Sequence, residues 1–424
     1  MVVTVGRKTT GRSCVRIPAG KSVSHRVLIA ASLADGVSRI ENLSNCEDVN
    51  ATIRCLGKAG TTIIRKDEVT EVRGAVPAKC RKDLVLDAGE SGSTLRFLIP
   101  VLSSDARKTI WTGGGRLMER PLAVYEDIYR RQDGLFEKEG KNLTVKGKLK
   151  PGVYTVPGDV SSQFITGLLM ILPTLEEDSE IRILPPYESS SYVRMTENVL
   201  KLAGVRIEDE GLTIRIPGKQ VYKQFETSVP ADDSAAVFFG VLAALCACEV
   251  HLKGVAKDSD QADHVFLEML ERTGCTVTET QKGYAVSGTG CMKPLHEDLS
   301  DCPDLGPALF ALAAMISGDS VFTGVKRLRY KESDRIAAMK EELAKFGCVM
   351  EDTEDIVTVH GGTVRSPSED LDGHGDHRIV MALSVLAVCV KKPVRIRGAE
   401  AVTKSFPDFF HRLEKTGTEV KRDD

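Results

Sequence analysis

The stretch DDSAAVFFGVLAALC, residues 232–246, decides the fold because the chain repeats its design at a regular interval. It opens with acidic and hydroxyl side chains, which commonly cap the free backbone N–H groups at a helix start. It continues as an apolar run that is shorter than the roughly 20 residues needed to cross a bilayer. The stretch therefore predicts a core helix that is buried on most of its faces.

Five other segments have the same design, a polar start that leads directly into an apolar helix. They are KSVSHRVLIAASLADG from Lys21, SGSTLRFLIPVLSS from Ser91, SSQFITGLLMILP from Ser161, CPDLGPALFALAAMISG from Cys302 and DHRIVMALSVLAVCV from Asp376. The six starts are spaced by 70, 70, 71, 70 and 74 residues. A second helix follows each one, and its expected end is a left-handed glycine. These glycines are Gly60, Gly134, Gly204, Gly274, Gly347 and Gly417, spaced by 74, 70, 70, 73 and 70 residues.

The six helix starts and the six glycines recur with the same period, which indicates six structural units that account for the whole chain. Short alternating stretches such as SEIRIL, CEVHLKG, SVFTGV and PVRIRG lie between the two helices of a unit and predict strands. Each unit is expected to consist of a strand, a helix, a strand, a helix and a final strand or hairpin. The fold class is therefore α/β.

The composition excludes several classes of protein. Hydrophobic residues make up 42% and charged residues 28% of the chain, which is typical of a globular protein and not of a disordered one. The net charge of -3 gives no general attraction to nucleic acid or to an anionic membrane, so any anion site must be local. The start of the chain lacks a targeting pattern, and a cytoplasmic location is expected. Eleven cysteines without a CxxC pair predict reduced thiols, the closest pair being Cys246 and Cys248.

Basic side chains recur beside the predicted helix starts, where the helix dipole and free N–H groups favour anions. They are Arg26, Arg96, Arg120, Lys331, Arg335, Arg378 and Lys404. Any one of them, taken alone, is more often part of a solvated surface. In YKESDRIAAMK, however, spacings of three and four residues predict that Lys331, Asp334 and Arg335 lie close together at a helix start. A second compact set follows the flexible sequence GHG, namely Asp376, His377 and Arg378.

Three other patterns have weaker interpretations. Residues 20–22, GKS, are similar to the end of a Walker phosphate loop, but Val15 stands where that loop needs glycine. His374 and His377 could form a metal pair, yet no matching carboxylate spacing supports it, and no metal is expected. Residues 161–163, SSQ, fit either simple helix capping or a set of neutral partners for hydroxyl and phosphate oxygens.

Eight stretches in order resemble the motifs of the 5-enolpyruvylshikimate-3-phosphate synthase family. They are AGKSVSHR, ESGSTLR, MERPL, SSQFITGLLM, CPDLGPALFALAA, LRYKESDRIAAMKEEL, GDHRIVMALSVLA and TKSFPDFF. The resemblance spans nearly the full chain and implies the two-domain enolpyruvyl transferase fold, built from six βαβαββ repeats with three per domain. Domain one would comprise residues 1–19 and 230–424, and domain two residues 20–229. The active site would lie in the cleft between the domains.

The resemblance implies that the enolpyruvyl group of phosphoenolpyruvate is transferred to the 5-hydroxyl of shikimate 3-phosphate, with release of phosphate. This is a step of the shikimate pathway to aromatic amino acids. No metal or organic cofactor is implied, and we expect a monomer that binds neither nucleic acid nor membrane. Two anionic substrates require several cations, since one ion pair at about 4 Å is worth about 4 kcal/mol before desolvation.

The resemblance also assigns residues to each substrate. Shikimate 3-phosphate would be bound by Lys21, Ser22, Arg26, Ser161, Ser162, Gln163, Ser189, Tyr192, Asp304 and Lys331. Phosphoenolpyruvate would be bound by Lys21, Gly92, Arg120, Gln163, Arg335, Arg378 and Lys404. Glycine at position 92 has a physical reason, because a side chain there would occupy the space in which the ligand approaches the backbone.

Proton transfer would involve four of these motif residues. Asp304 is the expected base at the hydroxyl, Glu332 and Lys21 would deliver the proton to the methylene carbon, and His377 would support them. The alternative, in which Glu332 only pairs with Arg335 on a helix, stays open.

Two positions depart from the family pattern, and two other functions compete. Glu90 stands where many relatives have Asn, and Arg327 where some have an Asn that contacts the shikimate phosphate, so sensitivity to the inhibitor glyphosate is left open. UDP-N-acetylglucosamine enolpyruvyltransferase is the nearest rival, but residues 111–120 lack its loop cysteine, and its usual Lys-Asn is Lys-Ser at residues 21–22. A non-catalytic repeat scaffold would explain the six units but not the acids among the cations.

Overall fold

The computed structural model describes residues 1–8, 11–74 and 82–423, so Cys80 lies outside the described residues. The chain divides into two compact units: unit 1 is Met1–Pro18 with Pro230–Asp424, and unit 2 is Ala19–Val229. The units meet between residues 18 and 19 and between residues 229 and 230. The second boundary is the expected one, and the first lies one residue before the expected boundary between residues 19 and 20. Each unit has its own hydrophobic core.

The described residues form strands and helices along the whole chain. The strands are β1 (Val2–Lys8), β2 (Arg12–Arg16), β3 (Val37–Glu41), β4 (Thr62–Lys66), β5 (Val69–Arg73), β6 (Leu84–Asp87), β7 (Thr109–Thr112), β8 (Leu135–Glu139), β9 (Asn142–Lys146), β10 (Val153–Pro157), β11 (Ser179–Leu184), β12 (Glu208–Asp209), β13 (Thr213–Ile216), β14 (Glu226–Ser228), β15 (Glu249–Lys253), β16 (Thr276–Thr280), β17 (Gly283–Ser287), β18 (His296–Asp298), β19 (Gly318–Thr323), β20 (Val349–Asp352), β21 (Ile356–Gly361), β22 (Leu371–Asp372), β23 (Val394–Arg397) and β24 (Thr418–Asp423). The α-helices are α1 (Lys21–Leu33), α2 (Glu47–Lys58), α3 (Gly92–Leu102), α4 (Ala123–Arg131), α5 (Ser162–Ile171), α6 (Ser190–Leu202), α7 (Asp233–Leu245), α8 (Phe266–Thr273), α9 (Gly306–Ala313), α10 (Arg335–Lys345), α11 (His377–Ala387) and α12 (Phe409–Lys415).

The strands form six four-stranded sheets of one arrangement within the described residues. The orders are β14-β3-β5-β4, β6-β7-β9-β8 and β10-β11-β13-β12 in unit 2, and β16-β17-β15-β2, β18-β19-β21-β20 and β22-β23-β1-β24 in unit 1. Every sheet contains one parallel and two antiparallel pairs, for example β6 parallel to β7 and β9 antiparallel to both β7 and β8. A parallel pair needs a crossover, which α3 supplies between β6 and β7. This arrangement is consistent with the predicted βαβαββ repeat.

Strands β2 and β14 lie next to the two points where the chain passes from one unit to the other. β2 pairs with β15 in unit 1, although the next helix in sequence, α1, belongs to unit 2. β14 pairs with β3 in unit 2, although the next helix, α7, belongs to unit 1. The last sheet is completed by the first strand, because β1 lies between β23 and β24.

The first helix of each repeat is buried, as its apolar sequence predicts. In unit 1, α7, α9 and α11 pack against one another, and in unit 2, α3 packs against both α1 and α5. Twelve of the thirteen α7 residues are buried. None of the helices in the described part of the chain has the length and apolar character needed to span a membrane.

The predicted side-chain caps occur at four of the six central helices. Ser91, Ser161, Asp232 and Asp376 each accept a hydrogen bond from a backbone N–H in the first turn of α3, α5, α7 and α11. The prediction is wrong for α1, whose N-cap is Gly20, and for α9, which has no side-chain cap. At α9 a short 3-10 turn, Pro303–Leu305, precedes the helix instead.

The predicted left-handed glycines are confirmed at five positions and wrong at Gly134. Gly60, Gly204, Gly274, Gly347 and Gly417 have positive φ, whereas after α4 it is Asp133 that has φ +59°. Gly134 is needed for a different reason, because a Cβ there would lie 2.9 Å from the Tyr129 ring and 3.1 Å from the carbonyl oxygen of Lys146.

Trp111 provides a probe of unit 2, since it is the only tryptophan in the sequence and is fully buried in β7. Leu98→Ala removes a completely buried side chain of α3 and should lower the free energy of unfolding of this unit by about 2–5 kcal/mol. A urea titration followed by Trp111 fluorescence measures the change. Leu202→Ala, at a leucine that is 49% exposed at the end of α6, is the matched control and should cost less than about 1 kcal/mol. Equal losses in the two variants would contradict the assignment of the core.

Candidate active site

The carboxylate of Asp304 in unit 1 is bound by three cations. Its Oδ1 accepts hydrogen bonds from Lys331 Nζ at 3.2 Å and from Arg335 Nη1 at 2.8 Å. Its Oδ2 accepts one from Arg378 Nη2 at 2.9 Å. The 3-10 turn before α9 places Asp304 at the starts of α10 and α11, which supply the two arginines. Asp304 therefore joins the starts of three helices, α9, α10 and α11, which belong to two repeats of unit 1.

Arg335 is the most enclosed cation of this group, with a side chain that is 1% exposed. Its Nε donates to Asp376 Oδ2 at 2.8 Å, and its Nη2 donates to Glu332 Oε2 at 2.8 Å. Burial alone would lower the pKa of Arg335, but Asp376, Glu332 and Asp304 outweigh it and raise that pKa. Burial likewise opposes the charge of Asp376, and Arg335 outweighs it, so the pKa of Asp376 is lowered. The pairing of Glu332 with Arg335, weighed as the alternative role of this acid, is thus present.

The pKa of Lys331 is subject to opposing influences. Burial lowers its pKa to about 8, Asp304 opposes this shift, and Arg335 and Arg327 reinforce it. Arg327 is buried and donates from Nη2 to the carbonyl oxygen of Ser300 at 2.5 Å. The ammonium of Lys331 therefore loses its proton more readily than an exposed lysine does.

Two further residues from the predicted sets form hydrogen bonds to partners other than the cations of this network. Asp334 caps α10 by accepting from the N–H groups of Ile336 and Ala337, and it approaches Arg329 Nη1 at 3.7 Å. Asp334 therefore lies at the start of α10 directly before Arg335, as predicted, and its carboxylate caps that helix. His374 bonds through Nε2 to Glu342 Oε1 at 3.1 Å.

The start of α11 contributes further predicted residues. His377 is buried, and its Nδ1 lies 3.7 Å from Asp376 Oδ1. Arg378 Nη1 donates to the carbonyl oxygen of Ser234 at 3.0 Å, which links α11 to α7. Lys404 donates to the carbonyl oxygen of Gly375 at 2.6 Å, just before α11. The predicted residues of unit 1 therefore all lie at or next to this network.

In unit 2, Lys21 is the first residue of α1 and pairs with Asp48 of α2. The distance from Nζ to Oδ2 is 2.9 Å, and both side chains are less than 15% exposed. The carbonyl oxygen of Asp48 accepts from the Thr94 hydroxyl in α3 at 3.1 Å. The ammonium of Lys21 is thus fixed by two neighbouring helices.

Arg26 connects α1 with α5 and α6 from a buried position. Its Nε donates to Thr196 Oγ1 at 2.8 Å, and its Nη2 donates to the Tyr192 carbonyl oxygen at 2.9 Å and to Thr166 Oγ1 at 3.3 Å. Its Nη1 donates to the Ser22 carbonyl oxygen at 2.8 Å. These bonds fix the guanidinium without supplying a negative charge, and they tie the predicted residues Ser22 and Tyr192 to one side chain.

Gln163 and Arg96 link the starts of α3 and α5. Arg96 Nη1 donates to Gln163 Oε1 at 2.7 Å, and Gln163 Nε2 donates to Ser93 Oγ at 3.1 Å. Ser161 accepts from the Gln163 N–H at 3.3 Å as the cap of α5, so the capping interpretation of this serine is confirmed. Ser162 is the buried first residue of α5.

Gly92, the first residue of α3, lies directly beneath Arg120. A Cβ on Gly92 would come within 2.7 Å of Arg120 Nη1, so in this structure the open space above the glycine is taken by an arginine. Glu90 packs against the glycine turn at 114–115.

Ser189 is the buried N-cap residue of α6 and has left-handed backbone angles, φ 54° and ψ 38°.

Several residues of the two networks were not singled out from the sequence. Asp48 lies in a mostly polar helix with no distinguishing neighbours. Asp263 is buried, accepts a hydrogen bond from Ser234, and has a pKa raised to about 7 by burial and by Asp304. His25 is also buried, and burial with nearby Lys21 lowers its pKa, so it is neutral. Only their positions in three dimensions distinguish them.

The comparisons with known proteins agree with the motifs. The family model of EPSP synthase (3-phosphoshikimate 1-carboxyvinyltransferase) matches residues 7–413. The chain belongs to the EPSP synthase family. Members named 3-phosphoshikimate 1-carboxyvinyltransferase include proteins of Clostridium kluyveri, 39% identical over 416 residues, and Clostridioides difficile, 36% identical over 420 residues. Each alignment covers 96% of this chain and 95% of the relative.

Solved structures support the same family and fold. EPSP synthase from Acinetobacter baumannii superimposes with a TM-score of 0.80 at 27% identity, covering 99% of this chain and 100% of that one. The enolpyruvyl transferase NikO from Streptomyces tendae has a TM-score of 0.76 at 17% identity and shares the fold. The two-domain α/β enolpyruvyl transferase fold is confirmed, and the chain is a transferase of the EPSP synthase family. These findings favour this family over the UDP-N-acetylglucosamine transferase.

The position of Asp304 beside Lys331 gives a direct test of the network. Asp304→Asn should lower the pKa of Lys331 below about 8, because the negative charge of Asp304 favours the ammonium form. NMR titration of protein with ¹³Cε-labelled lysine reports this pKa, with Lys331→Arg assigning the signal. Asp334→Asn, which keeps a helix-capping side chain, is the matched control. An unchanged Lys331 pKa in Asp304→Asn, or an equal change in the control, would contradict the geometry.

Proposed function

We propose that the chain transfers the enolpyruvyl group of phosphoenolpyruvate to the 5-hydroxyl of shikimate 3-phosphate and releases inorganic phosphate. The observation that carries this proposal is the Asp304 network, an acid held among Lys331, Arg335 and Arg378, in a chain of the EPSP synthase family. Small anionic metabolites are the substrates that such a group of cations suits. The proposed enzyme acts as a cytoplasmic monomer.

The balance of charge supports the use of residues from both units. In unit 1 the cations Lys331, Arg335 and Arg378 face the anions Asp304, Glu332 and Asp376, three against three. A group with no net charge can orient anions, but it provides no net positive charge to balance two multiply charged substrates. We therefore include basic residues of unit 2, together with Lys404. The predicted cleft between the domains stays a prediction.

Shikimate 3-phosphate would be bound mainly by the helix starts of unit 2. Free N–H groups and hydroxyls at the starts of α5 and α6 suit a phosphate and the ring hydroxyls. The proposed ligands are Lys21, Ser22, Arg26, Ser161, Ser162, Gln163, Ser189 and Tyr192, with Asp304 and Lys331 from unit 1. Arg26 is so enclosed that its main contribution would be to hold α1 and α6 in register.

Phosphoenolpyruvate would be bound by arginines, whose planar groups match carboxylate and phosphate oxygens in pairs. The proposed ligands are Lys21, Gly92, Arg120 and Gln163 of unit 2 with Arg335, Arg378 and Lys404 of unit 1. Gly92 would contribute by letting the Arg120 guanidinium lie close to the backbone. Arg335 and Arg378 are already oriented by Asp304, so they would need little rearrangement to bind an anion.

The reaction would proceed in two steps through a tetrahedral intermediate. In the first, the 5-oxygen bonds to C2 of phosphoenolpyruvate while its proton passes to Asp304 and a proton from Glu332 or Lys21 reaches C3. In the second, the C2–O bond to phosphate breaks, C3 returns its proton, and the proton held by Asp304 leaves with the phosphate. His377, which is buried beside Asp376, would support the groups that transfer these protons. The cations would stabilise the charge that moves onto the departing phosphate.

The proposal is tested by mixing the purified protein with shikimate 3-phosphate and phosphoenolpyruvate in the presence of a metal chelator. Phosphate and the enolpyruvyl product should appear in equal amounts, measured by ³¹P NMR. UDP-N-acetylglucosamine in place of shikimate 3-phosphate should give no phosphate. Absence of turnover with the first substrate pair, or turnover with the second, would overturn the assignment.

Variants connect this activity to the site. Asp304→Ala should reduce kcat by at least about 100-fold, because it removes both the proposed base and the acceptor that orients Arg335 and Arg378. Asp258→Ala, at an exposed aspartate of the same unit, should leave kcat within about twofold. Circular dichroism checks that both variants are folded. Near-normal turnover of folded Asp304→Ala would remove this residue from the mechanism.

A further inference from the structure

Three thiols gather outside the site, at the C-terminal ends of two central helices of unit 1. Cys246 is the C-cap residue of α7, and Cys248 follows two residues later, just before β15. Cys389 lies two residues beyond the end of α11 and close to Cys246. Cys248 is 8% exposed, and the other two are half-buried against the same core.

The backbone brings the first two thiols together. Ala247, between them, has φ +46°, a left-handed conformation that turns the chain sharply at the end of α7. Two residues span at most about 7 Å of chain, and a disulfide needs a Cα separation of about 4.4–6.8 Å. A turn shortens the span into that range. The Cys246 S–H accordingly donates a hydrogen bond to the sulfur of Cys248.

Charge distinguishes the two thiols. The hydrogen bond from Cys246 lowers the pKa of Cys248, and Lys8 of β1, which contacts the same sulfur, lowers it further against the opposing effect of burial. That hydrogen bond and burial both raise the pKa of Cys246. Because Lys8 contacts its sulfur, Cys248 is the better nucleophile, and Cys246 is the neighbouring thiol.

We propose that Cys246 and Cys248 form a redox-active dithiol that hydroperoxides oxidise to an intramolecular disulfide, with Cys248 reacting first. The thiols lie beyond the opposite ends of α7 and α11 from the residues at the candidate active site. Oxidation of these thiols therefore does not depend on the proposed enzymatic function.

The chemistry balances with one hydroperoxide for each pair of thiols. The Cys248 thiolate attacks a peroxide oxygen, so that an S–O bond forms and the O–O bond breaks, and the leaving hydroxide takes a proton to become water. The sulfur of Cys246 then attacks the Cys248 sulfenic acid. An S–S bond forms, the S–O bond breaks, and the proton of Cys246 leaves with a second water. The two thiols lose two electrons, and hydrogen peroxide gains them.

Mass spectrometry of the full-length protein tests the proposal without any variant. Trypsin releases residues 224–253 as one peptide that contains both cysteines. After limited hydrogen peroxide, this peptide should lose the mass of two hydrogen atoms, and dithiothreitol should restore it. The exposed thiols of Cys14 and Cys291 fall on other peptides and should react at least about threefold more slowly. Faster oxidation of those two, or a disulfide between Cys246 and Cys389, would overturn the proposal.

Variants separate the roles of the residues. Cys246→Ser should stop the reaction at the Cys248 sulfenic acid, which dimedone labels, whereas the wild type should be labelled only weakly. Lys8→Met should slow oxidation at least about threefold, and Lys8→Arg should restore the rate, because the positive charge favours the Cys248 thiolate. A rate unaffected by Lys8→Met, or dimedone labelling equal in wild type and Cys246→Ser, would contradict the assigned roles.

Discussion

The arrangement of unit 1 depends on the pairing of Asp304 with Lys331, Arg335 and Arg378. Without that carboxylate, three cations from two repeats would repel one another in a largely buried space, and breaking one member of a buried ionic group costs about 3–5 kcal/mol. With it, the starts of α9, α10 and α11 are held together. In the proposed function, the same pairing would keep the guanidinium groups oriented for an incoming anion.

Unit 2 orients its cations differently. Arg26 and Arg96 donate to hydroxyl, carbonyl and amide oxygens, and Lys21 pairs with Asp48. Neutral acceptors fix a guanidinium in direction while adding no negative charge beside it. One unit thus supplies a balanced group in which acids lie among cations, and the other supplies basic and hydroxyl groups at helix starts. In the proposed function, the two groups together would suit two anionic substrates and proton transfer between them.

Much of this could be predicted from the sequence because it depends on local patterns. The period of about 70 residues and the capped apolar helices gave the repeats, and four of the caps are as predicted. Contacts between distant residues could not be predicted in this way. Spacing placed Asp334 and Arg335 together at a helix start, as observed, but it could not show that Asp376, 41 positions from Arg335, binds the guanidinium. Likewise no local signal shows that Arg120 covers Gly92.

We propose that basic side chains from both units bind the two anions together. A crystal structure of the protein with shikimate 3-phosphate and an unreactive analogue of phosphoenolpyruvate tests it most directly. We expect oxygens of the analogue to lie within hydrogen-bonding distance of Lys21, Arg335 and Arg378, with the 5-hydroxyl beside Asp304. Ligands bound away from these side chains, with the Asp304 network unchanged and uncontacted, would contradict it.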